Sequence, residues 1–216
     1  TTDEEMMEKY FSGEKFTHDE IIKGVYTAVK AGDISPVYCG SGYTLEGIDQ
    51  LLNGISKYAP GANETIPLPA TSNGEVIKLS VDENGPLAAI VFKTIADPQV
   101  GKRSYFKVMS GNLDNTMTLK NLRTGATEKF GHIYEVRGKK TTEVESLSCG
   151  DIGMIQKLND TATNDTLTNM DMKPYMPITF PKAYMTMAIA PKSKGDEDKI
   201  ATGIARLRDE DKTIFF

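Results

Sequence analysis

Between Leu87 and Leu167 the chain alternates short apolar runs with turn signals: LAAIVFKTIA, SYFKVMSG, TMTLKNL, TEKFGHIYEV and IGMIQKL. That regular spacing predicts strands folded into a small antiparallel barrel or sandwich. The first corner is spelled out in the sequence. Asp97-Pro98 opens a turn, Gly101 permits its closure, and Lys102 and Arg103 follow where side chains can project outward.

The flanking segments follow a different period. Thr17-x-x-Glu20 is a capping box, in which a hydroxyl and a carboxylate each satisfy an orphan amide at a helix start. Behind it Ile21, Ile22, Val25, Tyr26 and Val29 recur at helical spacing until Gly32. A short strand, Pro36-Val37-Tyr38-Cys39, then meets the polar turn Gly40-Ser41-Gly42-Tyr43. A second amphipathic helix follows, with Leu45, Ile48, Leu51, Leu52 and Ile55 on one face and Pro60-Gly61 as its stop. This order predicts the tail of an α/β domain over residues 1–60. Residues 61–85 mix Pro, Gly, Asn and Ser with little periodicity and read as a linker or surface loop. The barrel then occupies 86–173. After Pro174 the pattern predicts a strand (AYMTMAIA), a helix opened by Ser193-x-x-Asp196 with Ile200, Ile204 and Leu207 on one face, and a terminal TIFF. A unit as small as 174–216 cannot close a core by itself.

Composition narrows the function classes. No apolar run approaches the ~20 residues that a membrane-spanning helix needs. The first residues, TTDEEMMEKY, are acidic, unlike a secretory leader, so a cytoplasmic protein is expected. Cys39 and Cys149 lie far apart without a CxxC or histidine partner, and read as small reduced core residues. His18 and His132 are the only histidines and belong to no nucleophile or metal signature. The net charge of −5 is unevenly spread: −5 over 1–60, −3 over 61–85, +2 over 86–174 and +1 over 175–216. Any contact with nucleic acid must therefore be local.

Four stretches, in order, resemble the elongation factor G family of translational GTPases. GPLAAIVFKTIADPQVGKRSYFKVMSGNL is similar to the opening of the family's second domain, where a strand meets a D-P-x-x-G-K corner. MMEKYFSGEKFTHDEIIKGVYTAVKAGDISPVYCGSGYTLEGIDQLLNGISKYAP resembles the end of its GTPase domain. CGDIGMIQKLNDTATNDTLT is similar to the close of domain two, and FPKAYMTMAIAPKSKGDEDKIATGIARLRDED to the start of domain three. The implied fold is multi-domain α+β: the C-terminal tail of an α/β P-loop GTPase domain, an antiparallel β-barrel and a partial ferredoxin-like domain three. The phosphate-cradling G-x-x-x-x-G-K-[ST] loop and the guanine-reading NKxD are absent from these residues. An inactive internal fragment of a longer GTPase is therefore expected.

The resemblance also implies sites. Cys39-Gly40-Ser41-Gly42-Tyr43 stands where the family's fifth guanine-nucleotide motif points backbone amides at guanine O6, which gives Ser41, Gly42 and Tyr43 as residual nucleotide contacts. Gly42 replaces the usual Ala, and Thr44 stands where Lys is common. The same residues also fit a plain strand-to-helix turn with Thr44 as N-cap. Lys102, Arg103, Lys120, Arg123, Lys139 and Lys140 are the candidate contacts to small-subunit ribosomal RNA. The Arg137-Gly138-Lys139-Lys140 turn departs from the housekeeping factor's loop, which suggests a divergent paralogue. GTP, Mg2+ and the ribosome are implied for the full-length parent, with no cofactor, metal or catalytic residue in the fragment, which is expected to be monomeric. A ribosomal protection or recycling factor of the same family, and a stand-alone β-barrel protein-binding module, remain as alternatives.

Overall fold

The computed structural model describes residues 4–65, 67–72, 75–97 and 99–216. Thr1, Thr2 and Asp3 of the acidic opening, Ile66, Asn73 and Gly74 of the expected linker and Pro98 of the corner lie outside them. The chain divides into two compact units, Thr1–Thr65 and Ile66–Phe216.

The first unit is helical. Helix α1 spans Glu4–Phe11, α2 His18–Ala31 and α3 Ile48–Tyr58. The capping box forms as its residues require: the Glu20 amide donates to Thr17 Oγ1, and the Thr17 amide donates to Glu20 Oε2 at 2.7 Å. Gly32, at φ +81, closes α2 in the left-handed conformation. Two expectations change here. Residues 36–39 form no strand, because they have no ladder partner among the described residues. Helix α3 starts at Ile48 and not at Leu45, because Leu45 (φ +65) and Gly47 (φ +79) are left-handed and Thr44 bonds back into its own turn. Tyr38 nevertheless packs on this helix, close to Gly54.

The second unit opens with a hairpin in the segment read as a linker or loop. Strands β1 (Leu68–Ser72) and β2 (Glu75–Leu79) pair antiparallel, and the Thr71 amide donates to the Pro174 carbonyl at 3.1 Å. Leu68 and Leu79 cover Ala88, Met109 and Tyr175, so apolar packing sets this hairpin where turn composition suggested a loop.

Eight further strands form the main sheet. They are β3 (Ala88–Asp97), β4 (Gly101–Ser110), β6 (Thr118–Asn121), β7 (Thr127–Lys129), β8 (Ile133–Arg137), β9 (Lys140–Val144), β11 (Ile152–Gln156) and β12 (Thr166–Thr168). All neighbours run antiparallel, in the order β7-β6-β12-β3-β4-β11-β8-β9. A separate two-stranded ladder joins β5 (Leu113–Asp114) to β10 (Ser146–Leu147). Register shifts in the β3–β4 ladder, at Ala88/Ala89 and Val91/Lys93, bend the sheet. The sheet curls into an open half-barrel, whose end strands β7 and β9 do not pair with each other among the described residues. Its core holds Val91, Phe106, Val108, Leu119, Phe130 and Leu167, with Phe106 and Phe130 edge-to-face at 5.7 Å.

Residues 181–191 form no strand, because nothing among the described residues pairs with them, and Tyr184, Met185 and Met187 are exposed. Helix α4 spans Glu197–Glu210, and 213–216 are likewise irregular. Ile204 is the buried anchor of α4, which packs on β3.

Candidate functional site

The loop between Cys39 and Ile48 is closed by its own backbone. The Ser41 amide donates to the Glu46 carbonyl at 2.9 Å, the Leu45 amide to the Ser41 carbonyl at 2.8 Å, and Ser41 Oγ accepts the Thr44 amide at 3.2 Å. Glycine is required where the loop crosses itself: a Cβ on Gly47 would sit 2.4 Å from the Cys39 carbonyl oxygen. The amides of Gly42 and Tyr43 have no acceptor among the described residues, and Tyr43 is 98% exposed. Ser41 thus shapes the turn and leaves two adjacent amides without an acceptor among the described residues.

The β3–β4 corner is a charged turn. Asp97 Oδ1 accepts the amides of Gln99 (2.9 Å) and Val100 (3.0 Å), and Gly101 has φ +89. The Val100 and then the Gln99 hydrogen bond hold the Asp97 carboxyl below its ordinary range, and Arg103 adds to this. Arg103 itself is not a free cation. Its Nη2 lies 2.9 Å from Asp97 Oδ2, and its Nε is buried without a partner among the described residues. Lys102 is half-buried, with Nζ 3.9 Å from Asp209 Oδ2 of α4.

Arg123 is also committed to the fold. Its Nε and Nη2 donate to the two oxygens of buried Asp165 at 2.5 and 2.8 Å, and Nη2 reaches the Asp160 carbonyl at 3.0 Å. The paired carboxylate raises the guanidinium further above its ordinary value. Asn121 Nδ2 donates to the same carboxylate at 2.7 Å, and the Ala162 amide adds a fourth bond at 2.8 Å.

Lys120 on β6 and Lys139 and Lys140 at the β8–β9 turn are different. All three are exposed and form no ion pair among the described residues. They lie towards opposite flanks of the sheet order, with Lys102 and Arg103 on β4 between them. The six candidate cations therefore split into paired and unpaired groups and do not form one cluster.

Residues 86–170 match the family model described as elongation factor G domain 2, and residues 180–216 match elongation factor G, domain III. Together the matches span more than half the chain, in the order the family uses. The chain belongs to the elongation factor G family. A crystal structure from Thermus thermophilus aligns with 99% of this chain at 26% identity and a TM-score of 0.80. The chain covers 30% of that structure's length. In elongation factor G terms, the half-barrel is domain 2 and α4 lies in the domain III segment.

The contact between these two segments carries residues that the sequence did not flag. Glu210 Oε1 accepts the Ala96 amide at 2.6 Å, Lys93 Nζ donates to the Glu210 carbonyl at 3.1 Å, and Asp209 faces Lys102. These partners stand more than 100 positions apart in the chain. No local periodicity marks such a pairing. The one usable signal was Lys93, a cation that directly follows the apolar run 88–92 of β3.

Proposed function

We propose that this chain is part of a translational GTPase that acts on the ribosome during protein synthesis, coupling GTP hydrolysis to a conformational step such as translocation. The consecutive domain 2 and domain III matches carry this reading. The open amides of Gly42 and Tyr43 support it, because they offer a purine carbonyl two donors beside a serine already used to close the loop. GTP, held with Mg2+ by residues outside this chain, would supply the bond whose hydrolysis drives the step. This chain's own contribution is to place those two amides and to present the barrel. Phosphate cradling, the larger part of nucleotide affinity and of transition-state stabilisation, needs a glycine-rich loop that these residues do not contain.

Unpaired Lys120, Lys139 and Lys140 are the candidate contacts to small-subunit ribosomal RNA, since exposed cations on a rigid sheet suit phosphate oxygens. Arg103 and Arg123 serve the fold first. Co-sedimentation of the protein with small ribosomal subunits at about 50 and 200 mM salt tests the assignment. The expected result is binding that weakens steeply with salt. Absence of binding at the lower salt would overturn the ribosomal role. Calorimetric titration of this 216-residue chain with GTP and Mg2+ is expected to show no heat of binding, and micromolar affinity would overturn the division of labour.

A further inference from the structure

We propose that the small cavity between the β1–β2 hairpin and the main sheet binds a compact neutral aromatic molecule that carries one hydrogen-bond acceptor, of the size of benzyl alcohol. The inference goes beyond the ribosomal reading and does not depend on it.

The hairpin does not close completely over the sheet. Leu79 of β2, Ala88 of β3, and Met170, Met172 and Tyr175 of the segment after β12 wall a cavity of about 220 Å3. Leu79, Ala88, Met172 and Tyr175 also belong to the smaller apolar cluster, so the cavity is a gap at the margin of packed core. Asp82 and Met170 also line it, and both are exposed. An apolar cavity of roughly 150 Å3 is enough to hold a benzene ring. Two buried polar side chains line the walls, and they differ. The Ser110 hydroxyl is spent, since it donates to the Asp82 carbonyl at 3.0 Å. Tyr175 is only 5% exposed, yet its hydroxyl has no hydrogen-bond partner among the described residues and is not sealed in by protein. A phenylalanine would supply the same packing without the cost of withdrawing a hydroxyl from water. The fold therefore gives the Tyr175 hydroxyl no task, and a guest in the cavity does.

The wall chemistry selects the class of guest. Two thioethers and a tyrosine ring favour an aromatic body, through sulfur–ring and edge-to-face contacts. Burial, and after it Cys149, pushes the Tyr175 hydroxyl up to about 12, so at neutral pH it keeps its proton and donates. The guest must then bring an acceptor. Asp82 lines the cavity and Glu83 follows it in the chain, which disfavours an anion, and apolar walls penalise a charge of either sign. A neutral ring with one oxygen or nitrogen acceptor meets all three demands. Such a guest touches the hairpin and the sheet at once, and so holds them together.

The test is a titration of this chain, labelled with carbon-13 at its methionine methyls, with benzyl alcohol, toluene and benzoate. Benzyl alcohol is expected to give saturable ring-current shifts at Met170 and Met172 and none at Met185 and Met187, which are exposed in the domain III segment. Benzoate is expected to leave all four signals in place. Tyr175→Phe removes only the unpartnered hydroxyl, so its melting temperature should stay at the wild-type value while its affinity for benzyl alcohol falls several-fold. Toluene has the same ring and no acceptor, and its affinity should not change. The ratio of the two affinities is the deciding figure, because a loosened protein loses both guests together. An unchanged ratio in Tyr175→Phe overturns the assignment of the hydroxyl. Shifts that grow without saturating, shifts of equal size at Met185 and Met187, or benzoate binding as tightly as the alcohol would overturn the site.

Discussion

Arg123 and Lys120 stand three positions apart, yet the structure gives them opposite tasks. Arg123 grips Asp165, whose side chain is only 2% exposed, so its removal strands a carboxylate whose other partners are neutral. Arg123→Ala is expected to cost about 1–3 kcal/mol of stability, read from the urea midpoint. Lys120, Lys139 and Lys140 hold nothing together, and replacing all three by alanine should leave that midpoint within about 0.5 kcal/mol of wild type. If each meets a single-strand phosphate, the triple variant should flatten the salt dependence of ribosome binding by roughly 2 in log–log slope, from about 0.7 per contact. Glu20 gives a pH prediction. Its carboxyl is held at about 2, against an ordinary 4.5, first by the Lys9 hydrogen bond and then by the Thr17 amide and hydroxyl. A lowered value in the folded state means that the ionised carboxylate stabilises α2 above the ordinary value. That contribution is lost as pH falls from 4.5 through about 2. A carbon-13 titration of the Glu20 carboxyl should find its midpoint near the lower figure, and Glu20→Gln should remove the α2 helicity change in that window.

At the scale of elements, the corner after β3 was legible at the residues that build the turn itself. Asp97 takes two amides and Gly101 sits at φ +89, both of which turn chemistry anticipates. A side chain at Gly101 would meet nothing within 4 Å, so Gly101→Val tests conformation alone. It should cost about 1–3 kcal/mol of stability, measured by thermal melting. Gly54 tests packing instead. A Cβ there would fall 1.9 Å from Tyr38 Oη, so Gly54→Ala should expel the Tyr38 ring from α3 and change tyrosine fluorescence, in a chain without tryptophan. Strands β3, β4 and β11 were readable as apolar runs bounded by turns. Strand β9 (KTTEV) was not, because it is a polar edge strand whose only signal is its register with β8. The β1–β2 hairpin was hidden for a related reason, since its apolar residues gain their meaning from Met109 and Tyr175. Residues 36–39 and 183–190 mislead the other way. They have strand composition, but a strand also needs a ladder, and pattern cannot count partners.

For the whole molecule, the two units differ in how much they bury. Helices α1, α2 and α3 contain one buried residue, Gly54, while Ile21, Leu52 and Ile55 stay about half exposed. The second unit closes a core around Phe106, Phe130 and Leu119. Limited proteolysis should therefore cut within residues 4–65 before it cuts between 88 and 168. A first cut inside the sheet would mean that the half-barrel is not the stable body. The same contrast sets how the material should behave when concentrated. The edge strand β9 carries Lys140 and Glu143 along its exposed length, and charges of this kind repel a neighbouring strand. Residues 184–190, YMTMAIA, carry no charge and no proline, and they leave Tyr184, Met185, Met187 and Ile189 open to solvent. Such a segment is a ready template for cross-β stacking. Aggregation of this chain should begin there, and Met187→Lys should raise its solubility limit while leaving the half-barrel's melting temperature where it was.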